Sequence, residues 1–245
     1  MLKLDNIYRS VGNQTILKWI SWEFIDGDVV WIVWPNGCWK TSLLNVINWY
    51  VQPESWVIQL DWIDITKYNV EKRANLGIWR VFQSFWIFKE LTIFENLAIA
   101  YYNRLKWREK LLPMWKFPKR FRVEIDNILE EIELLHRKNE LAGNLSGGQM
   151  RLLEIARLYL QDTKIYLLDE PTAWVAPKFK QKVIELLNKI IEQRKIVIIV
   201  EHDFEFLSQF VDRFLLMDNW RIVLEWDYKS IKNSEITQSI YFWKY

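Results

Sequence analysis

Two short stretches carry the residue types best suited to chemistry on phosphate. The first is Val29–Ser42, VVWIVWPNGCWKTS, which reads as a short apolar strand, a turn, and Lys40-Thr41-Ser42 opening a helix. A loop of pattern G-x-x-x-x-G-K-[ST] wraps backbone N–H groups around phosphate oxygens at a helix N-terminus. Here Trp34, Pro35, Asn36, Gly37, Cys38 and Trp39 form the loop; both framing positions are tryptophan and every other element is in place. In such a loop Lys40 reaches the β- and γ-phosphates, Thr41 puts its hydroxyl on Mg²⁺, and Ser42 continues the first helical turn. Glycine serves the framing positions because the chain must take positive φ and approach the ligand closely. An indole at 39 stands where phosphates belong, so the loop as written binds nucleotide badly or not at all. Cys38 reads as a small residue at a variable loop position rather than as a reactive thiol.

The second stretch is Leu145-Ser146-Gly147-Gly148-Gln149. Ser146 is a good N-cap for a helix over Gly147–Leu160. Gly147 and Gly148 leave backbone N–H groups open at a positive helix end, a second place for an anion. Downstream, Ile165–Leu168 is a continuous apolar run, as a buried parallel strand requires, and it ends in the carboxylates Asp169 and Glu170. Gln83 ends one further strand-like stretch and His202 follows another, Ile196–Val200. Taken singly, these residues also fit bland roles: a helix N-cap, a solvated acid, a polar strand end, a structural histidine.

Together the features follow the chain order of an ATP-binding-cassette (ABC) ATPase, and the sequence resembles that family over nearly all of its 245 residues. Within the family it is most similar to the ATPase subunits of branched-chain amino-acid uptake systems. Gly77–Glu95 (GIWRVFQSFWIFKELTIFE), Glu140–Arg157 (ELAGNLSGGQMRLLEIAR), Glu170–Pro177 (EPTAWVAP) and Glu201-His202-Asp203 carry that likeness. The resemblance implies an α/β fold, a P-loop NTPase ABC-type nucleotide-binding domain with an antiparallel β subdomain and a helical subdomain. It implies one domain over 1–245, with 1–84 and 146–245 forming the core and 85–145 the helical part. It implies ATP and Mg²⁺ as ligands, with Thr41, Gln83 and Asp169 around the cation. By the same resemblance Glu170 orients or deprotonates the attacking water, and His202 bonds the γ-phosphate. Ser146, Gly147, Gly148 and Gln149 close on the γ-phosphate held by the opposite subunit. The implied partners are a second ABC ATPase subunit and transmembrane permease subunits, docked around Phe85–Glu95, with no nucleic acid. The implied location is cytoplasmic, peripheral on the inner face of the cell membrane. A departure from the family pattern is the adenine-stacking position, where Val11 replaces an aromatic and Tyr8 is the nearest substitute. Two rivals stand beside the importer: the ATPase of a lipid or lipopolysaccharide export system, and a non-catalytic interaction protein whose tryptophans fill the nucleotide site.

Sixteen tryptophans against seven glycines is an odd balance. Trp31, Trp34, Trp39, Trp49, Trp56, Trp62, Trp174, Trp220 and Trp226 fall where related ATPases commonly carry glycine, mostly at turns. Pro53-Glu54-Ser55-Trp56 and Asp218-Asn219-Trp220-Arg221 read as turns whose last residues want positive φ. One cause explains one substitution type at motif glycines: UGA codons that the host reads as glycine, translated as tryptophan. Trp22, Trp107 and Trp115 lie at no obvious glycine site. The alternative is a chain whose tryptophans are genuine and whose loop is blocked.

The rest of the chain supplies the frame. A 51% hydrophobic content over 245 residues can bury a large core. A net charge of +2 is too small to argue for nucleic acid or an anionic membrane. One cysteine excludes an intramolecular disulfide framework. No apolar run approaches the roughly 18–20 residues that span a bilayer, and MLKLDNIYRS shows no signal-peptide core. Met1–Val30 reads as antiparallel strands broken at Gly12 and Asp26-Gly27-Asp28, with Val57–Leu60 and Ile63–Ile65 as a further strand pair. Asn96–Leu105, a stretch around Ile125–Leu135, and Lys178–Gln193 carry helical periodicity. Lys116–Arg122, KFPKRFR, reads as a solvated loop. Phe214–Met217 and Arg221–Leu224 form a hairpin, and the polar tail after Tyr228 reads as a peripheral helix.

Overall fold

The computed structural model describes residues 1–33, 40–105, 108–111, 113, 117–161, 163–173, 175–201, 203–207, 213–218 and 221–227. In chain order the elements are β1 (Leu2–Val11), β2 (Gln14–Phe24), β3 (Val29–Val33), α1 (Lys40–Ile47), β4 (Ser55–Leu60), β5 (Ile63–Asp64), α2 (Val70–Asn75) and β6 (Ile78–Val81). There follow α3 (Ile93–Tyr101), α4 (Lys119–Glu131), α5 (Gly147–Leu160), β7 (Ile165–Asp169), α6 (Pro177–Glu192), β8 (Ile196–Val200), α7 (Phe204–Leu207), β9 (Arg213–Asp218) and β10 (Arg221–Asp227). The chain divides into two compact units, one of residues 1–80, 164–170 and 193–245, the other of 81–163 and 171–192.

The first unit holds a four-stranded sheet in the order β2-β1-β4-β5 and most of a six-stranded sheet in the order β10-β9-β3-β8-β7-β6. The first sheet is antiparallel throughout. In the second, β9, β3, β8 and β7 run parallel, and β10 returns antiparallel on β9. The fully apolar runs Ile196–Val200 and Ile165–Leu168 become central parallel strands, buried at every residue. Alternate residues of these strands (Val30, Ile32, Leu167, Ile198, Leu215) join Leu43, Leu44, Val46 and Ile47 of α1 and the inner face of the antiparallel sheet in one core. The helix therefore needs apolar residues on more than one side, which its KTSLLNVI sequence provides.

The end of α1 is fastened by a residue the sequence does not advertise. Arg73, on the unforeseen helix α2, is fully buried. Its guanidinium donates to the carbonyls of Val46 (2.9 Å) and Ile47 (2.7 Å), the last turn of α1. It also donates to Ile65 (2.9 Å), Thr66 (3.2 Å) and Tyr68 (3.0 Å). Val46, Ile65 and Thr66 each accept a second donor as well, from Trp49 N–H, Tyr68 N–H and the Trp56 indole, so the guanidinium gathers carbonyls of several segments rather than serving as the one partner of each. Burial pushes the Arg73 guanidinium down to about 10, still charged at neutral pH.

The second unit is helical. Thr92 and Glu95 form a reciprocal capping box, so α3 begins at Ile93, earlier than the apolar run Asn96–Leu105 suggested. Phe94, Tyr101 and Phe117 each meet the Phe121 ring edge-on, with centroids 6.0, 5.1 and 4.9 Å away. This corrects the reading of Lys116–Arg122 as a solvated loop. Pro118 is the N-cap of α4, and Phe117 and Phe121 are buried on its inner side while Arg120 and Arg122 face solvent. The basic residues masked an amphipathic start. Trp56 is likewise corrected: it lies within β4, and its indole N–H donates to the Thr66 carbonyl at 3.2 Å rather than ending a turn. The tail after Tyr228 lies outside the described residues.

Replacing Arg73 by methionine keeps the bulk and removes the guanidinium hydrogen bonds to five carbonyls at once. Arg73→Met should lower unfolding free energy by about 3 kcal/mol or more in urea titrations, and Arg73→Lys should recover only part, since one ammonium cannot reach five acceptors. A loss below roughly 1 kcal/mol would mean the guanidinium is not the fastening of α1.

Candidate functional site

Parallel strands bring their C-terminal ends to one edge, and open α/β sheets bind ligands there. The register fixes which residues meet. Ile32 of β3 pairs with Val200 of β8, and Val200 pairs on its other side with Asp169 of β7. The C-terminal ends of β3, β7 and β8, with Asp169-Glu170 after β7 and Glu201 after β8, therefore lie at the same edge. That juxtaposition is the expected one for a site built from the loop after β3 and the residues after β7 and β8. Thr41 and Ser42 lie in the first turn of α1, Thr41 half-buried and Ser42 buried. Trp34, Pro35, Asn36, Gly37, Cys38, Trp39 and His202 lie outside the described residues, as does the Lys40 side chain.

Asp169 is almost fully buried and is held by Arg80 of β6, whose Nη2 lies 2.6 Å from its Oδ2. The same guanidinium donates through Nη1 to Oδ1 of Asn45 on α1, also at 2.6 Å. Burial pushes the Arg80 guanidinium below its ordinary value, and the Asp169 charge acts to restore it. Arg80 thus ties the strand-end carboxylate to α1, the helix that follows residues 34–39. The sequence reading missed Arg80; its signal was a charge inside the strand-like stretch GIWRVF. Glu170 follows in the left-handed region, φ +49°, with its N–H on the Val200 carbonyl at 2.8 Å. A glutamate there is strained unless its surroundings hold it, a common condition of functional side chains.

In the second unit, α5 begins at Gly147 as expected. Ser146 caps it, with a reciprocal bond between the Gln149 side chain and the Ser146 N–H at 3.1 Å, and Ser146 itself is exposed. A Cβ on Gly148 would come within 2.9 Å of the Phe179 ring, so the close approach of α6 requires glycine. The same helix fixes the segment that carries Gln83. Fully buried Arg151 donates to the carbonyls of Phe82 (2.8 Å) and Gln83 (2.9 Å) and pairs with Glu154 at 2.7 Å. Glu154 in turn accepts the Trp86 N–H at 3.2 Å, and Arg157 donates to the Trp86 carbonyl. Burial pushes the Glu154 carboxyl up against the opposing pull of Arg151. The main chain around Gln83 is pinned, while the Gln83 residue is exposed. At the suspected adenine position Val11 is exposed; Tyr8 packs on Trp19, ring centroids 4.9 Å apart, and its hydroxyl lies 3.4 Å from Thr15 Oγ1.

Residues 17–173 match the family model for ABC transporters, and the chain belongs to that family. Within it, the chain is an ATP-binding, ATP-hydrolysing subunit. It is 31% identical over 235 residues to the probable branched-chain amino acid transport ATP-binding protein LivG of Methanocaldococcus jannaschii, covering 92% of this chain and 89% of that one. It is 30% identical over 226 residues to the arginine transport ATP-binding protein ArtM of Bacillus subtilis, covering 91% and 90%. A solved ATP-binding cassette of an ABC transporter superposes with a TM-score of 0.80 at 29% identity, covering 98% of each chain. Among the described residues no helix is long and apolar enough to cross a membrane.

Because the Arg80–Asp169 pair is buried, removing one partner leaves a charge in low dielectric. Arg80→Met should cost about 3–5 kcal/mol of stability, and adding Asp169→Asn should return most of that loss. A double-mutant cycle by denaturant unfolding measures the coupling; additive effects would break the assigned pair.

Proposed function

We propose that this chain is the ATPase subunit of an importer for amino acids, branched-chain or similar, and that its 245 residues work as a single ATPase domain. Relatives named for branched-chain amino-acid and arginine transport support the amino-acid reading. Solute choice then rests with the membrane and receptor subunits rather than with this chain. The subunit works as a dimer, homomeric or with a related ATPase. ATP is held between the Lys40 loop of one protomer and the Ser146 helix of its partner. Permease subunits take up the motion through the segment around Phe85–Glu95, which holds the dimer against the inner face of the membrane.

The observation that carries this reading is the shared edge at which β3, β7 and β8 end, with Asp169-Glu170 and Glu201 beside one another. There Lys40 neutralises the β- and γ-phosphates. The Thr41 hydroxyl and the Asp169 carboxylate are hard oxygen donors of the kind Mg²⁺ takes together with phosphate and water. The cation, when bound, neutralises charge on the transferring phosphoryl group. Glu170 orients the attacking water or takes its proton, Gln83 senses water and cation, and His202 donates to the γ-phosphate. Backbone N–H groups of Gly147 and Gly148, with the Ser146 hydroxyl, meet the same phosphate from the partner at a positive helix end. Phosphoryl transfer asks for positioning and charge neutralisation more than covalent chemistry, and these residues supply both.

A chain carrying Trp34→Gly, Trp39→Gly and Glu170→Gln should bind ATP without turning it over and elute as a dimer in its presence. A monomer under saturating ATP would overturn the sandwich mechanism.

A further inference from the structure

Of the eight non-glycine residues with positive φ among the described residues, three are tryptophans, more than any other residue type. Trp19, Trp49 and Trp62 have φ of +54°, +66° and +68°, in the left-handed region that a bulky side chain adopts only under strain. Each sits where the local geometry leaves little choice. Trp62 follows Asp61 (φ +47°) in the two-residue connection between paired Leu60 and Ile63. Two successive left-handed residues in a two-residue hairpin make a type I′ turn, for which Asp-Gly is a leading sequence. The Trp62 side chain is 80% exposed, so no packing compensates.

Trp49 lies just beyond α1. Its N–H bonds the Val46 carbonyl at 3.2 Å, and Val51 N–H bonds that of Asn45 at 3.2 Å. A left-handed residue after a helix end that returns N–H groups to the last carbonyls is the position most often filled by glycine. Trp19 lies within β2 beside a break in register, between the pairs Arg9–Leu17 and Ile7–Ile20, and is more than half exposed. Left-handed residues at such bulges are commonly glycine. Other tryptophans behave differently. Trp31 keeps ordinary strand backbone and donates its indole N–H to the Glu201 carbonyl at 2.9 Å in the buried core.

We infer that the chain, as its own cells make it, carries glycine at 19, 49 and 62, through the same reassigned codon that accounts for Trp34 and Trp39. Trp19 is added by its backbone alone. The inference deepens the ATPase reading, because it returns glycine to both framing positions of the phosphate loop. It stands apart from that reading in its support, since the three positions lie outside the loop and their geometry concerns folding rather than nucleotide.

Two measurements test it. In the gene, codons 19, 49, 62, 34 and 39 should all be UGA while codon 22 is UGG; UGG at 49 and 62 overturns the inference. In the protein, Trp62→Gly and Trp19→Gly should each raise the melting temperature, by about 2–4 °C for Trp62→Gly. Trp22→Gly, which removes an indole packed on the core from regular strand backbone, should lower it. A fall in melting temperature for both Trp62→Gly and Trp19→Gly overturns the inference as well. Nucleotide binding is read separately, in Trp34→Gly/Trp39→Gly. If the exposed-site glycines stabilise and the repaired loop still binds no ATP, the glycine assignment stands and the ATPase mechanism falls.

Discussion

The site rests on register in one parallel sheet. Val200 is opposite Ile32 on one side and Asp169 on the other, so three apolar runs end level with each other. Asp169-Glu170 and Glu201 thus come to a common edge with the end of β3. A parallel strand buried on both faces is specified by continuous apolar sequence, and its hydrogen-bond ladder fixes how far it slides. Moving β7 by one residue relative to β8 would turn Asp169 to the opposite face and separate it from Arg80.

Buried arginines do much of the fastening within each unit, and each answers the cost of its own burial with several acceptors. Arg73 satisfies carbonyls at the end of α1, Arg80 joins Asp169 to Asn45, and Arg151 gathers the carbonyls of Phe82 and Gln83 with the Glu154 carboxylate. A guanidinium has five donors in a rigid plane, so one side chain can hold two chain segments at once. That geometry keeps the main chain near Gln83 in place while the residue itself meets solvent. The same device at Arg80 holds a carboxylate and a helix together.

The tryptophans divide by backbone rather than by burial. Trp31 and Trp56 sit in extended strands and find carbonyl acceptors for their indole N–H groups. Trp19, Trp49 and Trp62 sit in left-handed backbone, and two of them are largely exposed. Gly77 is a position that does require glycine: its φ is +92°, and a Cβ there would meet the Lys164 backbone nitrogen at 2.9 Å. At Trp49 a cation–π contact with Arg73, 4.9 Å to the ring, offsets part of the strain.

Sequence by itself determined the family, the order of the motifs and most elements, because those depend on local pattern. Apolar runs gave β7 and β8 to within a residue, Ser146 marked the start of α5, and Gly12 marked the first hairpin. It also exposed the conflict between tryptophan and the phosphate loop, since a motif states which residue types its backbone tolerates. Tertiary structure alone decided the rest. Arg73 and Arg151 look like ordinary surface charges in the sequence, and the charge of Arg80 within GIWRVF does not say what it meets, because acceptors of each come from other elements. The short helix α2 and the inward aromatic side of KFPKRFR escaped for the same reason: their partners come from other elements. Trp56 and Trp62 both read as turn residues, and only the built backbone separates a strand residue from one forced to positive φ. Local pattern fixes what a segment can be; the path of the whole chain fixes what it must satisfy.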